Sequence, residues 1–522
     1  MKSIKLRRVL SALLASLLVL SALSGCKKPG SLDIEVDKTI TDKNLTYTLY
    51  ANGMGVYDDS HEIVKKWEEM FNVQFKFDGS GTDWMETMAL LANANDMPEL
   101  FFFVQNDTNY MEAYVNMVKK GLVTPISEYV TEEETPNLYA LLSCDNFQDL
   151  KIDGKFYFIP APNTAFDNTI YVRQDWLDKL GMKQPTTIEE FEEMLRAFTQ
   201  DDPDGNGKND TYGMAASKVF DWLSYFKIGF GCEPGWSKDA NGEWQLDAFT
   251  EPYKEYLTWM ASLYQKGYLK NEFFLYEDSD AVNDFYNGKC GCMLYNGGRT
   301  TGGITFTIAK LDANAVVDVL PMPDGAARGG YLTNGDWWGG WSIAYDAEEP
   351  YRLVKFLDYM YSEEGSAERL YGIKGVHYDL DENGEIVPNF EARIASGGFG
   401  ISEDGKPRDL FNIGAHWGGR VKLEDNHLVD YTSKSIFREP ELAEKSLRYS
   451  QQNLKRNFPT DTLSLGIEYA TIYSRVYDRI LTYSIRIISG SATVEAGLAK
   501  MREMAESDGY AKLQKIIADR YD

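Results

Sequence analysis

Side-chain oxygens recur at alternate residues through Asp202-Pro203-Asp204-Gly205-Asn206-Gly207-Lys208-Asn209-Asp210. Alternate residues of a curling loop converge on one centre, and carboxylates joined by an amide oxygen suit a hard divalent cation. Counted from Asp202, donors fall at positions 1, 3, 5 and 9, glycine at 6, and the Lys208 carbonyl at 7. That is the spacing of a calcium-binding loop. Position 12 is Gly213, where the usual switch has a bidentate Glu. The missing ligand is therefore expected from Thr211, water or another segment, and the ion is expected to staple a surface loop. Without metal, the same residues make an Asp/Asn/Gly-rich turn.

Cys26 is the second chemically pointed residue. Lys2, Lys5, Arg7 and Arg8 precede an apolar run from Val9 to Leu23, and Leu23-Ser24-Gly25-Cys26 follows. This is the layout of an export signal, and it resembles a bacterial lipobox. Small residues ahead of the cysteine let a peptidase reach the backbone, leaving the thiol to take a diacylglycerol. The run is short for a membrane span. The expectation is a signal peptide at 1–25, a lipidated Cys26 with a flexible tether over 26–42, and an extracytoplasmic chain held at the cell membrane by its lipid. Loss of the four basic residues would take the net charge from −27 to −31.

Catalytic signatures break at specific positions. His61-Glu62-Ile63-Val64-Lys65 begins like a zinc-protease helix, but Lys65 stands where the second imidazole is needed. Gly400 to Pro407 has the glycine and lysine spacing of a phosphate loop, yet Pro407 replaces the hydroxyl that would hold magnesium. His61, His377, His416 and His427 are the only histidines, and none lies in a nucleophile motif. Cys144 and Cys232 stand alone, while Cys290-Gly291-Cys292 reads as strand, with small buried residues as the default and a metal site lacking further ligands. A glycosidase or lyase needs only two carboxylates, so 80 acidic residues leave surface polysaccharide degradation as an alternative. The negative charge repels phosphates, which excludes nucleic acid as a partner.

Aromatic residues offer a different chemistry. Pyranose rings present flat C–H faces that pack on aromatic rings, while Asp, Asn and Arg take the hydroxyls. Asp336-Trp337-Trp338-Gly339-Gly340-Trp341 is the densest such run. Trp84, Trp222, Trp236 and Trp417 lie in Gly-rich or polar contexts, and Asn296 and Arg299 flank a glycine pair. Two or three of these tryptophans are expected to line a cleft, with the three polar residues beside them.

The elements that must position these groups alternate strand and helix. Thr46–Tyr50 reads as a strand, 61–71 as an amphipathic helix and Leu100–Val104 as a buried strand. Thr187 and Glu190 form a candidate capping box before the helical spacing of Ile188, Phe191, Leu195 and Phe198. Pro350–Tyr361 reads as a helix, and the last eighty or so residues as helical throughout. A mature chain of roughly 500 residues exceeds what one core usually holds, so two lobes are expected. Prolines at 160 and 162, and again at 321 and 323, look like crossings between them.

Several segments together resemble bacterial family 1 extracellular solute-binding proteins, in particular the long lipoprotein subgroup that includes alginate-oligosaccharide binders. They are Asp153-Gly154-Lys155-Phe156-Tyr157-Phe158-Ile159-Pro160, Tyr171 to Gly181, Pro185-Thr186-Thr187, the Asp202 to Gly213 loop, Gly121 to Ile126, Tyr264-Gln265-Lys266-Gly267 and Gly372 to Tyr378. The resemblance implies an α/β fold of two lobes, of the class II periplasmic-binding-protein type, with a hinge and a ligand cleft between them. It implies capture of an oligosaccharide for the permease subunits of a carbohydrate ABC importer, by a monomer that is not an enzyme. A sugar sensor or adhesin that does not transport is the other alternative. Structural calcium carries over onto Asp202, Asp204, Asn206, the Lys208 carbonyl and Asp210. The sugar contacts do not carry over. The expected lobes are 43–162 with 324–398, and 163–323 with 399–522, the calcium loop lying in the second.

Overall fold

The computed structural model describes residues 36–51, 62–79, 84–94, 96–104, 108–162, 168–218, 221–296, 304–309, 311–333, 337–389, 391–392, 421–424, 427–430, 439–451, 455–456, 458 and 463–522. The chain opens with β1 (Leu45–Tyr50), α1 (Glu62–Phe71), β2 (Val73–Asp78), α2 (Trp84–Ala94), β3 (Leu100–Val104) and α3 (Thr108–Lys119). After β4 (Ile159–Pro162) come β5 (Asn168–Arg173), α4 (Gln174–Leu180), α5 (Ile188–Gln200), β6 (Tyr212–Met214), α6 (Glu251–Gln265), α7 (Asp278–Tyr286), β7 (Cys290–Asn296) and β8 (Val317–Leu320). Then follow β9 (Trp337–Ile343), α8 (Pro350–Met360), α9 (Pro440–Gln451), α10 (Gly466–Ile488), α11 (Val494–Asp508) and α12 (Tyr510–Tyr521). No helix among the described residues is long and apolar enough to cross a membrane.

Local sequence explains the elements. The Thr187 hydroxyl accepts from the Glu190 amide at 3.2 Å, and the Glu190 carboxylate accepts in return from the Thr187 amide at 3.4 Å, so the capping box forms and starts α5. The helix then buries Ile188, Phe191, Met194, Leu195 and Phe198 on one side. All of β5 is buried, as a strand covered on both faces requires.

The strands form two main sheets. One has the order β2-β1-β3-β9-β4, with β1 parallel to β2 and β3, and β9 antiparallel to both of its neighbours. The other has the order β8-β5-β7-β6, antiparallel except for β6 beside β7. Each sheet has its own core. The first gathers Leu49, Trp67, Phe103, Tyr114, Phe158 and Trp341, and the second gathers Ile170, Phe191, Phe226, Tyr256, Leu294 and Ile480. These are two lobes of α/β build.

The chain passes from the first sheet to the second between Pro162 and Asn168. Its return comes later than the prolines at 321 and 323 suggested. Met322 and Tyr331 pack in the second core, and the first is re-entered only at Trp337. The C-terminal part is also shared. Helices α10 to α12 build the second core, whereas Leu463 belongs to the first, and the hairpin 421–430 lies against the short helix Pro136–Ser143 of the first lobe.

The tether expected over 26–42 stops short of its end. Lys38 pairs with Glu134, the Thr41 hydroxyl donates to Glu349 at 2.6 Å, and the Thr41 carbonyl accepts from Arg352 at 2.6 Å. Arg352, almost wholly buried, also reaches the Lys43 and Asn72 carbonyls and Glu349. Residues 38–43 are therefore fastened to the first lobe. Cys26 and residues 1–25 lie outside the described residues.

Candidate functional site

The strand ends at which the chain leaves and re-enters the first lobe are neighbours in its sheet. In the first sheet, Gly339 of β9 faces Val104 at the carboxyl end of β3, and Trp337 faces Pro162, the last residue of β4. In the second, Asn168 at the start of β5 faces Asn296 at the end of β7. Ligands of open α/β sheets bind outside the carboxyl ends of the parallel strands, and here β1 and β3 end beside the crossing. Trp338 stands there, half-buried, its ring 4.8 Å from Phe102 and tilted by 46°. It has both a packed side and an accessible one.

Its neighbours in the aromatic run are different. Trp337 and Trp341 are buried in the first core, Trp337 lying 5.1 Å from Phe158 and Trp341 5.3 Å from Phe102. The two glycines explain the motif. A Cβ on Gly339 would sit 2.4 Å from the Phe102 ring and the Phe103 carbonyl oxygen, and one on Gly340 would sit 2.3 Å from the Phe158 ring. The Gly pair lets β9 slide between aromatic rings, so most of this run is core and not a sugar platform.

Trp236 is likewise a core residue. It is 3% exposed, its indole N–H donates to the Tyr469 hydroxyl at 2.8 Å, and its ring stacks on Tyr510 at 5.6 Å. Nothing of it is left for a ligand. Only the backbones of three candidates are described: Trp84 opens α2, Trp222 lies in the short helix Asp221–Ser224, and Asn296 ends β7. Arg299, Asp336 and Trp417 lie outside the described residues. Phe102 and Asn168 were not singled out in the sequence. Phe102 is hidden in an apolar run that reads only as strand, and Asn168 gains its place at the crossing only through pairing with β7.

In the loop at 202–210 the Asp202, Asp204 and Asp210 carboxylates all accept from Asn206. The Asp202 carboxylate accepts from the Asn206 and Gly207 amides at 3.0 Å each, and the Lys208 amide donates to the Asn206 side-chain oxygen at 2.7 Å. The Asn206 side-chain N–H₂ donates to Asp204 at 2.7 Å and to Asp210 at 3.1 Å. It fills the space between the carboxylates. Among the described residues, no group of three or more His, Cys, Asp and Glu stands ready-made around a metal position. The donor set nonetheless fits calcium, because the amide nitrogen does the job of a cation there, and rotating the amide would present oxygen to the same centre. Partial burial, followed by the crowding of Asp202 and Asp210, raises the Asp204 pKa, as expected for carboxylates sharing a centre.

Two parts of the loop are settled by packing. The Thr211 hydroxyl is buried and donates to the Phe198 carbonyl at 2.8 Å, so it serves α5 and not the loop centre. A Cβ on Gly213 would meet Leu195 at 2.8 Å and the Tyr268 carbonyl at 2.9 Å. The loop runs into β6 against α5, where no side chain, and hence no closing Glu, has room. Behind it, Lys179 donates to the Pro203 carbonyl at 2.9 Å.

Cys290, Cys292 and Asp284 of the second lobe are held by packing and pairing. Cys290 and Cys292 are fully buried, and burial pushes the Cys290 thiol up to about 12. Gly291 between them accommodates the Phe198 ring. Asp284 accepts from Tyr212 at 2.9 Å and pairs with Lys289 at 2.9 Å and Lys270 at 3.2 Å.

The architecture is thus two α/β lobes joined by chain crossings, and comparison with known proteins places it in a family. The profile described as "Bacterial extracellular solute-binding protein" matches residues 54–367, and the chain belongs to that family. It is 29% identical over 300 residues to the polygalacturonan/rhamnogalacturonan-binding protein YtcQ of Bacillus subtilis (strain 168), covering 56% of this chain and 58% of that one. The chain spans between 55% and 59% of the length of the curated relatives it matches. Among solved structures it is similar to alginate-binding protein AlgQ2 without calcium ion, with TM-score 0.70, 18% identity, and coverage of 92% of this chain and 99% of that one. It is also similar to an EF-hand mutant of the S. pneumoniae ABC-transporter substrate-binding protein FusA in complex with fructo-nystose, with TM-score 0.67, 19% identity, and coverage of 92% and 99%. At these identities the two structures bear on the fold alone.

Proposed function

We propose that this protein captures an oligosaccharide between its two lobes and hands it to the permease of a carbohydrate ABC importer, without catalysis. The observation that carries the reading is the crossing between lobes, where β4 ends at Pro162 beside Trp337 of β9 and β5 begins at Asn168, with the half-buried Trp338 beside the carboxyl end of β3. A ligand placed there touches both lobes only when they approach, so it shifts the population toward the closed state. The relative named as a polygalacturonan/rhamnogalacturonan binder makes acidic plant-wall oligomers the first class to try. In this reading one lobe comprises residues 43–162 with 337–361 and Leu463, and the other 168–333 with 440–451 and 466–522.

Two further assignments belong to the same reading. Calcium is held by Asp202, Asp204, Asn206, the Lys208 carbonyl and Asp210, and it rigidifies the approach to β6. Cys26 carries the lipid that keeps a monomeric chain at the outer face of the cell membrane. Loss of palmitate label together with release of the protein into the medium on Cys26→Ala would support the anchor, and unchanged membrane retention would remove it.

The deciding experiment is a thermal-shift and calorimetric screen of residues 27–522 against galacturonate, alginate and fructan oligomers, with reducing-end release assayed in parallel. Stabilisation by one glycan class without turnover is the expected result. Failure of every glycan to bind would overturn the reading, and steady release of reducing ends would replace it with a polysaccharide-degrading enzyme.

A further inference from the structure

We infer that the contact between α3 and α10 is a slip seam that sets how far apart the lobes stand, with the Thr471–Glu112 hydrogen bond as its latch. The two helices pack on one another although each is rooted in a different lobe. Helix α3 turns Met111, Tyr114, Val115 and Val118 into the first core. Helix α10 turns Tyr469, Ile472, Val476, Ile480 and Ile487 into the second. At 100° per residue, the opposite stripe of α3 is Glu112, Ala113 and Asn116, all half-buried, and that of α10 is Ile467, Thr471 and Ser474. Ser474 is 4% exposed, and Ile467 packs against the first core, so this stripe is covered by the other lobe and not by water.

The two faces of α10 differ in what they resist. Its apolar face interdigitates with the second lobe, and close-packed side chains of that kind do not slide continuously. Its other face meets α3 mainly through small and polar groups, which present little relief for ridges to lock into grooves. Such a surface suits shear, in which packed helices shift by small amounts as lobes move. A directional contact crosses it: the Thr471 hydroxyl donates to a Glu112 carboxylate oxygen at 2.8 Å. A hydrogen bond to an ionised acceptor is stronger than a neutral one, and this one exists only at the lobe spacing seen here. The C-terminal helices therefore travel with the second lobe, and the latch biases the equilibrium between lobe arrangements. Affinity for any ligand that bridges the lobes inherits that bias.

The inference rests on the two-lobed architecture and not on the identity of the sugar, and its test uses no ligand. Spin labels at Lys65→Cys on α1 and Glu189→Cys on α5, both exposed positions, report the distance between lobes, since Cys144, Cys232, Cys290 and Cys292 are buried. Double electron–electron resonance on residues 27–522 is then compared with Thr471→Val, which keeps the shape and removes the donor. Its expected effect is a three- to tenfold fall, to order of magnitude, in the weight of the principal wild-type distance relative to the rest. Ala113→Leu, which adds bulk to the seam, is expected to move the same distribution. Thr258→Val, an equivalent loss on the exposed face of α6, is expected to leave it unchanged. Should Thr471→Val fail to fold, Glu112→Gln weakens the same bond from the other side. Wild-type distributions in folded seam variants would overturn the inference, whatever the glycan screen returns.

Discussion

Trp236 and Trp338 carry the same side chain into opposite circumstances. Trp236 is locked between Tyr469 and Tyr510, so Trp236→Ala should cost about 3–5 kcal/mol of stability, as buried Trp truncations do. Any glycan affinity should stay within about twofold, read by chemical denaturation and calorimetry on the folded variant. Trp338→Ala should do the reverse, weakening glycan binding by tenfold or more, as anchor aromatics do, with a stability loss of only about 1 kcal/mol from the Phe102 side of its ring. Asp284 supplies a pH prediction. Burial opposes its ionisation, but Lys289, Tyr212 and Lys270 outweigh that and hold its pKa below the ordinary carboxylate value. A depressed native pKa contributes stability that is complete above the unfolded value, near 3.9, and is lost as pH falls through the native one. The melting temperatures of wild type and Asp284→Asn should therefore differ at pH 7 and converge below about pH 4. At this scale the sequence was least legible. Residue type marked Trp236 and Trp338 alike, and only the surrounding elements separate a stacked core ring from one at an edge.

Elements were legible where short-range chemistry dictates them. The Thr187–Glu190 capping box, the strand at Leu100–Val104 and the oxygen spacing from Asp202 to Asp210 needed nothing from the rest of the chain. The Trp-Trp-Gly-Gly-Trp run misled because its glycines looked like a loop that presents side chains, whereas they make room for the rings of Phe102 and Phe158. Gly213 is a similar case, since its neighbours Leu195 and Tyr268 are far from it in sequence. Gly213→Ala should destabilise the second lobe by about 1–3 kcal/mol through overpacking, seen as an earlier melting transition. For the loop itself, 1 mM calcium acting on a site with Kd near 0.1 mM would add about 1.4 kcal/mol. Chelator should lower the melting temperature accordingly, and Asp204→Asn should abolish most of the difference. Melting curves identical with calcium and with chelator would leave the loop an Asn-centred turn and nothing more.

For the whole molecule, length announced two lobes and the alternation of strands with helices announced their α/β build. What length cannot announce is where the chain changes lobes. The return at Trp337 is fixed by Met322 and Tyr331 finding partners in the second core, and the split allegiance of the C-terminal part by Ile467 and Leu463 reaching the first. Both are long-range packing outcomes. If a glycan closes the cleft, small-angle scattering should show the radius of gyration falling by an ångström or so at saturation, and an unchanged radius with tight binding would argue against closure.

The fastening of residues 38–43 has a mechanical consequence. A pull on the chain ahead of Lys38 enters the body through Lys38–Glu134 and Thr41–Glu349, and is gathered by Arg352, whose guanidinium grips the Thr41, Lys43 and Asn72 carbonyls at once. All of these belong to the first lobe or are pinned to it. If Cys26 carries the proposed lipid, the load path therefore ends in the first lobe, and the second can swing without dragging on the anchor.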